Sequence, residues 1–135
     1  MYHRFFSFVI PAHNESTVIE RTLTCLKNLN YPKDRYEVVV VENGSTDDTF
    51  EKAERFASGT FTILTTHVKG VSHARNMGKL KCALGLDWCI YMDADVFLGE
   101  TLLLELNSYL DKHPDVGYGT TTVNLDSQRP VARFV

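Results

Sequence analysis

Short apolar runs recur along this chain, and each gives way to a segment of helical period. That alternation restricts the fold more than any other feature. Residues 6–10 (FSFVI) form the first run, which ends at Pro11. Residues 16–29 then place Val18, Thr22, Cys25 and Leu29 on one helical face, with Ile19, Leu23 and Leu26 beside them. Thr17 and Glu20 have the spacing of a capping box at the start of that helix. Residues 36–41, 61–66 and 88–92 are further runs, rich in β-branched or aromatic residues, and 116–123 is the expected fifth strand. Between them, "NGSTDD" is expected to turn into a second helix, with Ser45 or Thr46 as N-cap and Phe50, Ala53 and Ala57 facing inward. A third helix is expected from 70 to about 84. The fourth, over 101–110, carries Leu102, Leu106, Tyr109 and Leu110 on one stripe. Continuous apolar strands alternating with helices predict an α/β fold, a mostly parallel sheet with helices on both faces.

A length of 135 residues suits one domain, and the domain is expected to occupy 1–135. A chain of this size can bury roughly two-thirds of its unfolded surface, so a real core is possible. The net charge of −3 leaves no basic footprint for nucleic acid. Cys25, Cys82 and Cys89 cannot all pair, and none has C-x-x-C spacing, so a reducing, cytoplasmic compartment is the expectation. No stretch approaches the roughly 20 apolar residues of a membrane span, which leaves the membrane surface as a location open only to a longer form. The segment "NLDSQRPVARFV" closes in an apolar run without a polar tail or a capped helix. That pattern is expected of a chain cut in mid-fold, incomplete at its C-terminal end, with uncovered apolar surface that favours self-association.

In open α/β sheets, ligands sit at the carboxyl ends of the strands. Polar residues follow each of the first four runs here: Pro11-Ala12-His13-Asn14-Glu15, then Glu42-Asn43-Gly44-Ser45-Thr46-Asp47, then Lys69 through Asn76, then Asp93-Ala94-Asp95. Each cluster alone has an ordinary structural explanation as a turn, a cap or a solvated helix start, and Ser45 through Asp48 fit that explanation as well as any other. Recurrence on one edge points to a site. Asp93 and Asp95 stand one residue apart behind an apolar strand, and in an extended segment both would point the same way. Two converging carboxylates suit a hard cation, Mg²⁺ or Mn²⁺, whose remaining positions would take water and diphosphate oxygens. One of the two could instead cap the helix that follows. No P-loop is present, and the first strand-to-helix turn, "PAHNES", lacks the glycines of a dinucleotide fingerprint.

"FVIPAHNE", "EVVVVENGSTDDT", "GVSHARNMG" and "YMDADV" together resemble the family 2 glycosyltransferases, in their order and approximate spacing, over residues 5 to about 123. The resemblance implies a Rossmann-like GT-A nucleotide-binding fold, a nucleotide-diphosphate-sugar donor, a divalent metal, and glycosyl transfer to an acceptor hydroxyl with inversion. By position it implies that Pro11, His13 and Glu15 lie against the nucleoside. It also implies that Arg75 is near the nucleotide, that Asp93 is near the ribose and that Asp95 ligates the metal, with Ala94 between them. The family often carries tyrosine where His13 stands, and usually an aspartate where Asn43 stands. An amide can still accept from the base through its oxygen, yet it adds donors and loses charge, so UDP is favoured over GDP only by family habit. The acceptor is not specified.

The general base of that family lies well downstream of the D-x-D, and no acidic "ED" or Q-x-x-R-W motif follows Asp95 here. No catalytic residue is therefore assigned. The isolated chain is expected to be inactive, as the nucleotide-binding half of a transferase. One alternative is a non-catalytic nucleotide-sugar-binding fragment. Another is a haloacid-dehalogenase-like phosphatase, for "IYMDADV" fits hhhh-D-x-D-x-[TV]. That signature belongs on a first strand, and its downstream lysine and acid pair are missing.

Overall fold

The runs of β-branched and aromatic residues do form strands. The structure, a computed structural model, describes residues 1–122 together with 133 and 134. In chain order the elements are β1 (Phe6–Ala12), α1 (Ile19–Lys27), β2 (Tyr36–Asn43), α2 (Thr49–Glu54), β3 (Phe61–Thr66), α3 (Val71–Lys81), β4 (Trp88–Tyr91), α4 (Leu102–Lys112), β5 (Thr121–Thr122) and β6 (Arg133–Phe134). Four strands make one parallel sheet in the order β3-β2-β1-β4.

Register explains why the central strands are apolar at every position. Phe8 pairs with Val38 and Ile10 with Val40 on one face, while Val9 pairs with Val39 and Pro11 with Val41 on the other. The first face packs against Ile19, Leu23 and Leu26 of α1, Ala53 of α2, and Leu102, Leu103 and Leu110 of α4. Burying one such Leu, Ile or Phe side chain contributes about 1.5–3 kcal/mol, so this layer supplies most of the core. The second face is covered by α3 through Ala74 and the half-buried Met77. Gly78 permits that approach: a Cβ there would lie 2.5 Å from Val9 Cγ1 and 3.2 Å from Val41 Cγ2.

Helix ends depart from the expectations. The Thr17–Glu20 capping box does not form. The helix starts later, with Val18 at the N-cap and no side-chain cap, and its first amides are taken by the Glu15 carbonyl. Asp48, and neither Ser45 nor Thr46, stands at the N-cap of α2; Ala57 lies beyond that helix and is exposed, while Thr49 and Ala53 are buried. The hydroxyls expected to cap are engaged across loops: Ser45 Oγ accepts from Asn14 N, and the Thr46 hydroxyl donates to Asn14 Oδ1, as does Thr46 N. On α4 the buried set is Leu102, Leu103, Asn107 and Leu110. Asn107 is polar yet fully enclosed because it bonds the chain before β1. Its Oδ1 accepts from Arg4 N at 3.1 Å, and its Nδ2 donates to Tyr2 O at 2.9 Å.

The expected fifth strand over 116–123 is also corrected. Strand geometry is confined to β5, which pairs antiparallel with β6 outside the four-stranded sheet; Val123 lies outside the described residues. Val116 N bonds back to His113 O in a turn, and Tyr118, between two glycines, is 91% exposed. A glycine-flanked, solvated segment has no buried face to hold it in a sheet. Among the described residues no helix is long and apolar enough to cross a membrane.

Candidate functional site

Two strands, β2 and then β3, run outward from β1 on one side and β4 lies on the other, so the chain reverses its progress between β1 and β4. Loops leaving such a pair diverge, and the crevice at their carboxyl ends is where open α/β sheets bind ligands. A pocket of about 240 Å³ occupies that place. From the end of β1 and the loop after it come Pro11, Ala12, His13 and Glu15; β2 supplies Asn43, α3 supplies Val71, and the segment after β4 supplies Asp93, Ala94 and Asp95. Seven of the eight residues singled out in the sequence therefore line one pocket. The eighth, Arg75, stands behind it, with Nη2 donating to Asp93 Oδ1 at 3.3 Å. Ala12, the last residue of β1, and Val71, the first of α3, were not singled out, since an apolar side chain carries no chemical signal.

Asp93 and Asp95 both reach the pocket without the extended geometry expected of them. The last ladder bond from β4 is Met92 N to Val9 O at 3.1 Å. The next amide on that side of β1 would belong to Pro11, which has no N–H to donate. β4 therefore leaves the sheet, and Val96 N closes a turn onto Asp93 O at 3.2 Å. Asp93 and Asp95 belong to this turn, with the buried Ala94 between them.

Around the pocket, hydrogen bonds lock the loops together. His13 Nδ1 lies 2.6 Å from the Asn43 carbonyl, which can only accept, so Nδ1 carries the proton. Asn14 Oδ1 accepts from Thr46 N at 2.8 Å, which turns the Asn14 amide nitrogen toward His13 Nε2 at 3.3 Å. Asn14 itself is in the left-handed region at φ 52°, a conformation asparagine tolerates better than most residues. Asp47 accepts from Ser16 N, Thr49 N and the Thr49 hydroxyl, and Asp48 accepts from the Ser16 hydroxyl. The Ser45–Asp48 segment thus holds the loops that frame the pocket.

Two unpartnered atoms remain buried among the described residues: Asn43 Oδ1 and Arg75 Nε. Asn43 Nδ2 donates to the Gly70 carbonyl at 3.1 Å, which fixes the amide and leaves the buried Oδ1 as an acceptor without a partner. Buried polar atoms without partners are uncommon, and an unmade bond to ligand is a physical reason for one.

Glu42, read in the sequence as one member of a polar cluster and given no role of its own, is 5% exposed at the end of β2. Burial pushes its carboxyl up, but the Ser45 amide at 2.5 Å, the Thr65 hydroxyl at 2.8 Å and the Ser45 hydroxyl outweigh that and hold it below the usual carboxylate range. Only its partners reveal the role. Glu15 shifts the other way: burial, then the charges of Asp95, Asp47 and Asp93, push its carboxyl up against a smaller opposing effect of His13.

A cluster of carboxylates that raises a neighbour's pKa is short of positive charge. Among the described residues no group of three His, Cys, Asp or Glu could by itself hold a metal. Asp93 and Asp95 supply two oxygen-donor side chains of the kind Mg²⁺ and Mn²⁺ take, so the donor set fits a cation that shares its ligands with a bound diphosphate.

Comparison with known proteins agrees with this geometry. The family model for glycosyl transferase family 2 matches residues 7–132. The probable glycosyltransferase YdaM of Bacillus subtilis is 41% identical over 95 residues, covering 66% of this chain and 22% of its own. The poly(ribitol-phosphate) beta-N-acetylglucosaminyltransferase TarS of Staphylococcus aureus is 30% identical over 111 residues, covering 80% of this chain and 19% of its own. This chain thus spans about a fifth of the length of either relative. Among solved structures, TarS superposes with TM-score 0.76 at 21% identity over 94% of this chain and 38% of that one. The mannosyltransferase of Pyrobaculum calidifontis, in complex with GDP-Man and Mn²⁺, superposes with TM-score 0.71 at 30% identity over 81% of this chain and 33% of that one. With a model match over nearly its whole length and a parallel sheet of the same fold, the chain belongs to glycosyl transferase family 2.

Proposed function

We propose that this chain binds the nucleotide-diphosphate-sugar donor of an inverting glycosyltransferase, with transfer to an acceptor hydroxyl carried out by a longer protein. The observation that supports this most is the buried, unpartnered Asn43 Oδ1 in the same pocket as Asp93 and Asp95. An acceptor and an acidic, cation-seeking pair lining one pocket suit a base N–H and a metal-bridged diphosphate. Pro11 and His13 would pack against the base, Glu15 would meet the nucleoside, and Arg75 would hold Asp93 in place. Asp93 and Asp95 would hold Mg²⁺ or Mn²⁺, which neutralises the leaving diphosphate when bound. UDP is favoured over GDP only by the family's habit, because the Asn43 oxygen would accept from a guanine N1–H as readily as from a uracil N3–H.

The carboxylates at this pocket are Glu15, Asp93 and Asp95, and all three have binding work. A base for the acceptor hydroxyl is therefore assigned to none of them, and the 135-residue chain is read as the donor-binding part of a cytoplasmic enzyme. Family membership sets the phosphatase alternative aside. Calorimetry of UDP binding with Mn²⁺ and with EDTA, in wild type and Asp95→Ala, tests the reading. Binding should strengthen with Mn²⁺, and Asp95→Ala should remove most of that gain. Metal-independent binding that is unchanged in the variant would overturn it.

A further inference from the structure

The turn that carries both carboxylates has left the sheet, so its carbonyls need partners from elsewhere. Ala94 is 2% exposed, and its carbonyl accepts a hydrogen bond of 2.5 Å from Thr22 Oγ1. Thr22 lies on α1, fully enclosed, on the face that otherwise presents Ile19, Leu23 and Leu26 to the core. A valine would fill that volume; what threonine adds is the hydroxyl. Its single proton is shared between Ala94 O and its own helix, where Val18 O is 3.1 Å away, and the Ala94 contact is the shorter. On the same helix the Arg21 guanidinium stacks 3.8 Å from the Phe97 ring centroid. α1 therefore grips the segment twice, at the middle of the turn and just beyond it. Neither Thr22 nor Arg21 lines the pocket.

Asp93 and Asp95 flank Ala94 directly, so the placement of the Ala94 peptide sets where both carboxylates point. We propose that Thr22 is a positioning residue, whose buried hydroxyl holds the Ala94 carbonyl and so aims Asp93 and Asp95 at the cation and diphosphate. The proposal rests on the donor-site reading above. A polar group buried on an apolar helix face is costly unless bonded; the Val18 carbonyl offers the usual back-bond within the helix, and the shorter bond to Ala94 is the one that reaches the turn.

The test compares the 135-residue chain with Thr22→Val and Thr22→Ser by two measurements. Hydrogen exchange at the Val96 amide reports whether the turn is held, since that amide closes it. UDP titration with Mn²⁺ and with EDTA reports whether a held turn supports the cation. Thr22→Val should speed Val96 exchange by about tenfold relative to β2 amides. It should also cut the Mn²⁺-dependent gain in UDP affinity by about tenfold, the usual effect of removing an outer-shell partner of a metal ligand. UDP affinity in EDTA should stay within about twofold, and Thr22→Ser should preserve both properties. Unchanged exchange, an unchanged Mn²⁺ gain, or an equal loss in EDTA would each overturn the proposal. If the wild-type chain gains nothing from Mn²⁺, the cation reading fails on its own, and the exchange measurement decides whether Thr22 holds the turn. Should Thr22→Val not fold, Thr22→Ala is read in the same two assays.

Discussion

Asn43→Leu should separate recognition from stability. In the protein without ligand, Asn43 Nδ2 donates to the Gly70 carbonyl at 3.1 Å, while the buried Oδ1 bonds nothing. An unmade buried acceptor costs about 1–3 kcal/mol, and leucine removes that penalty at nearly constant size. The same substitution loses one hydrogen bond, worth about 1 kcal/mol net, and the exposed Gly70 can turn its carbonyl to water. The two changes oppose each other, so folding stability should stay within about 1 kcal/mol of wild type or rise, a shift of a few degrees at most in Tm. Binding has no such compensation. Oδ1 is already dry, so a ligand N–H that reaches it gains a bond without further desolvation of the protein. Losing about 1–2 kcal/mol there weakens UDP roughly 5- to 30-fold. Thermal unfolding and UDP calorimetry in Mn²⁺ on the same samples make the comparison. Equal UDP affinity in wild type and Asn43→Leu would show that this oxygen does not meet the base. A parallel loss of stability and binding would show that the side chain serves the fold alone.

Gly78→Ala should destabilise the chain by about 1–3 kcal/mol through overpacking against Val9 and Val41, despite alanine's better helix propensity; an unchanged denaturation midpoint would mean α3 lies further from β1. Because Glu42 is held below its ordinary value of 4.5, its contribution is present above about pH 4.5 and is lost as pH falls through the depressed folded value. Stability profiles should therefore differ between wild type and Glu42→Gln near neutrality and converge in acid; a constant difference down to the most acid pH would contradict the assignment. The 135-residue chain should bind a nucleotide sugar without transferring it to any acceptor, and should self-associate through exposed apolar side chains such as Leu80, Leu84 and Tyr91. Product assays and sedimentation check both, and robust transfer by this chain would place the base among its own acids.

How much was legible in advance follows the range of the interactions involved. Strand positions could be read, because a strand buried on both faces has to be apolar at nearly every residue, as Val38 through Val41 are. The site could be read because polar residues recur where those runs stop. Helix starts could not. Ser45 and Thr46 have cap chemistry, but their bonds go to Asn14, more than thirty residues away, and that competition is invisible locally. Pro11 reads as the end of the first strand, yet β1 continues through it; what it terminates is the ladder to β4, a strand some eighty residues later in the chain. Thr22 reads as one more inward position on a helix, and Glu42 as one more polar residue after a strand. Their roles come from the Ala94 carbonyl and from Ser45 and Thr65. By itself the sequence determined the elements and the edge where chemistry collects, because periodicity and polarity act within a few residues. Strand order, the β1–β4 crevice, and which hydroxyl or amide meets which carbonyl were decided only in the tertiary structure. Hydrogen bonds are short and directional, and the groups that make them are brought together by packing rather than by sequence neighbourhood.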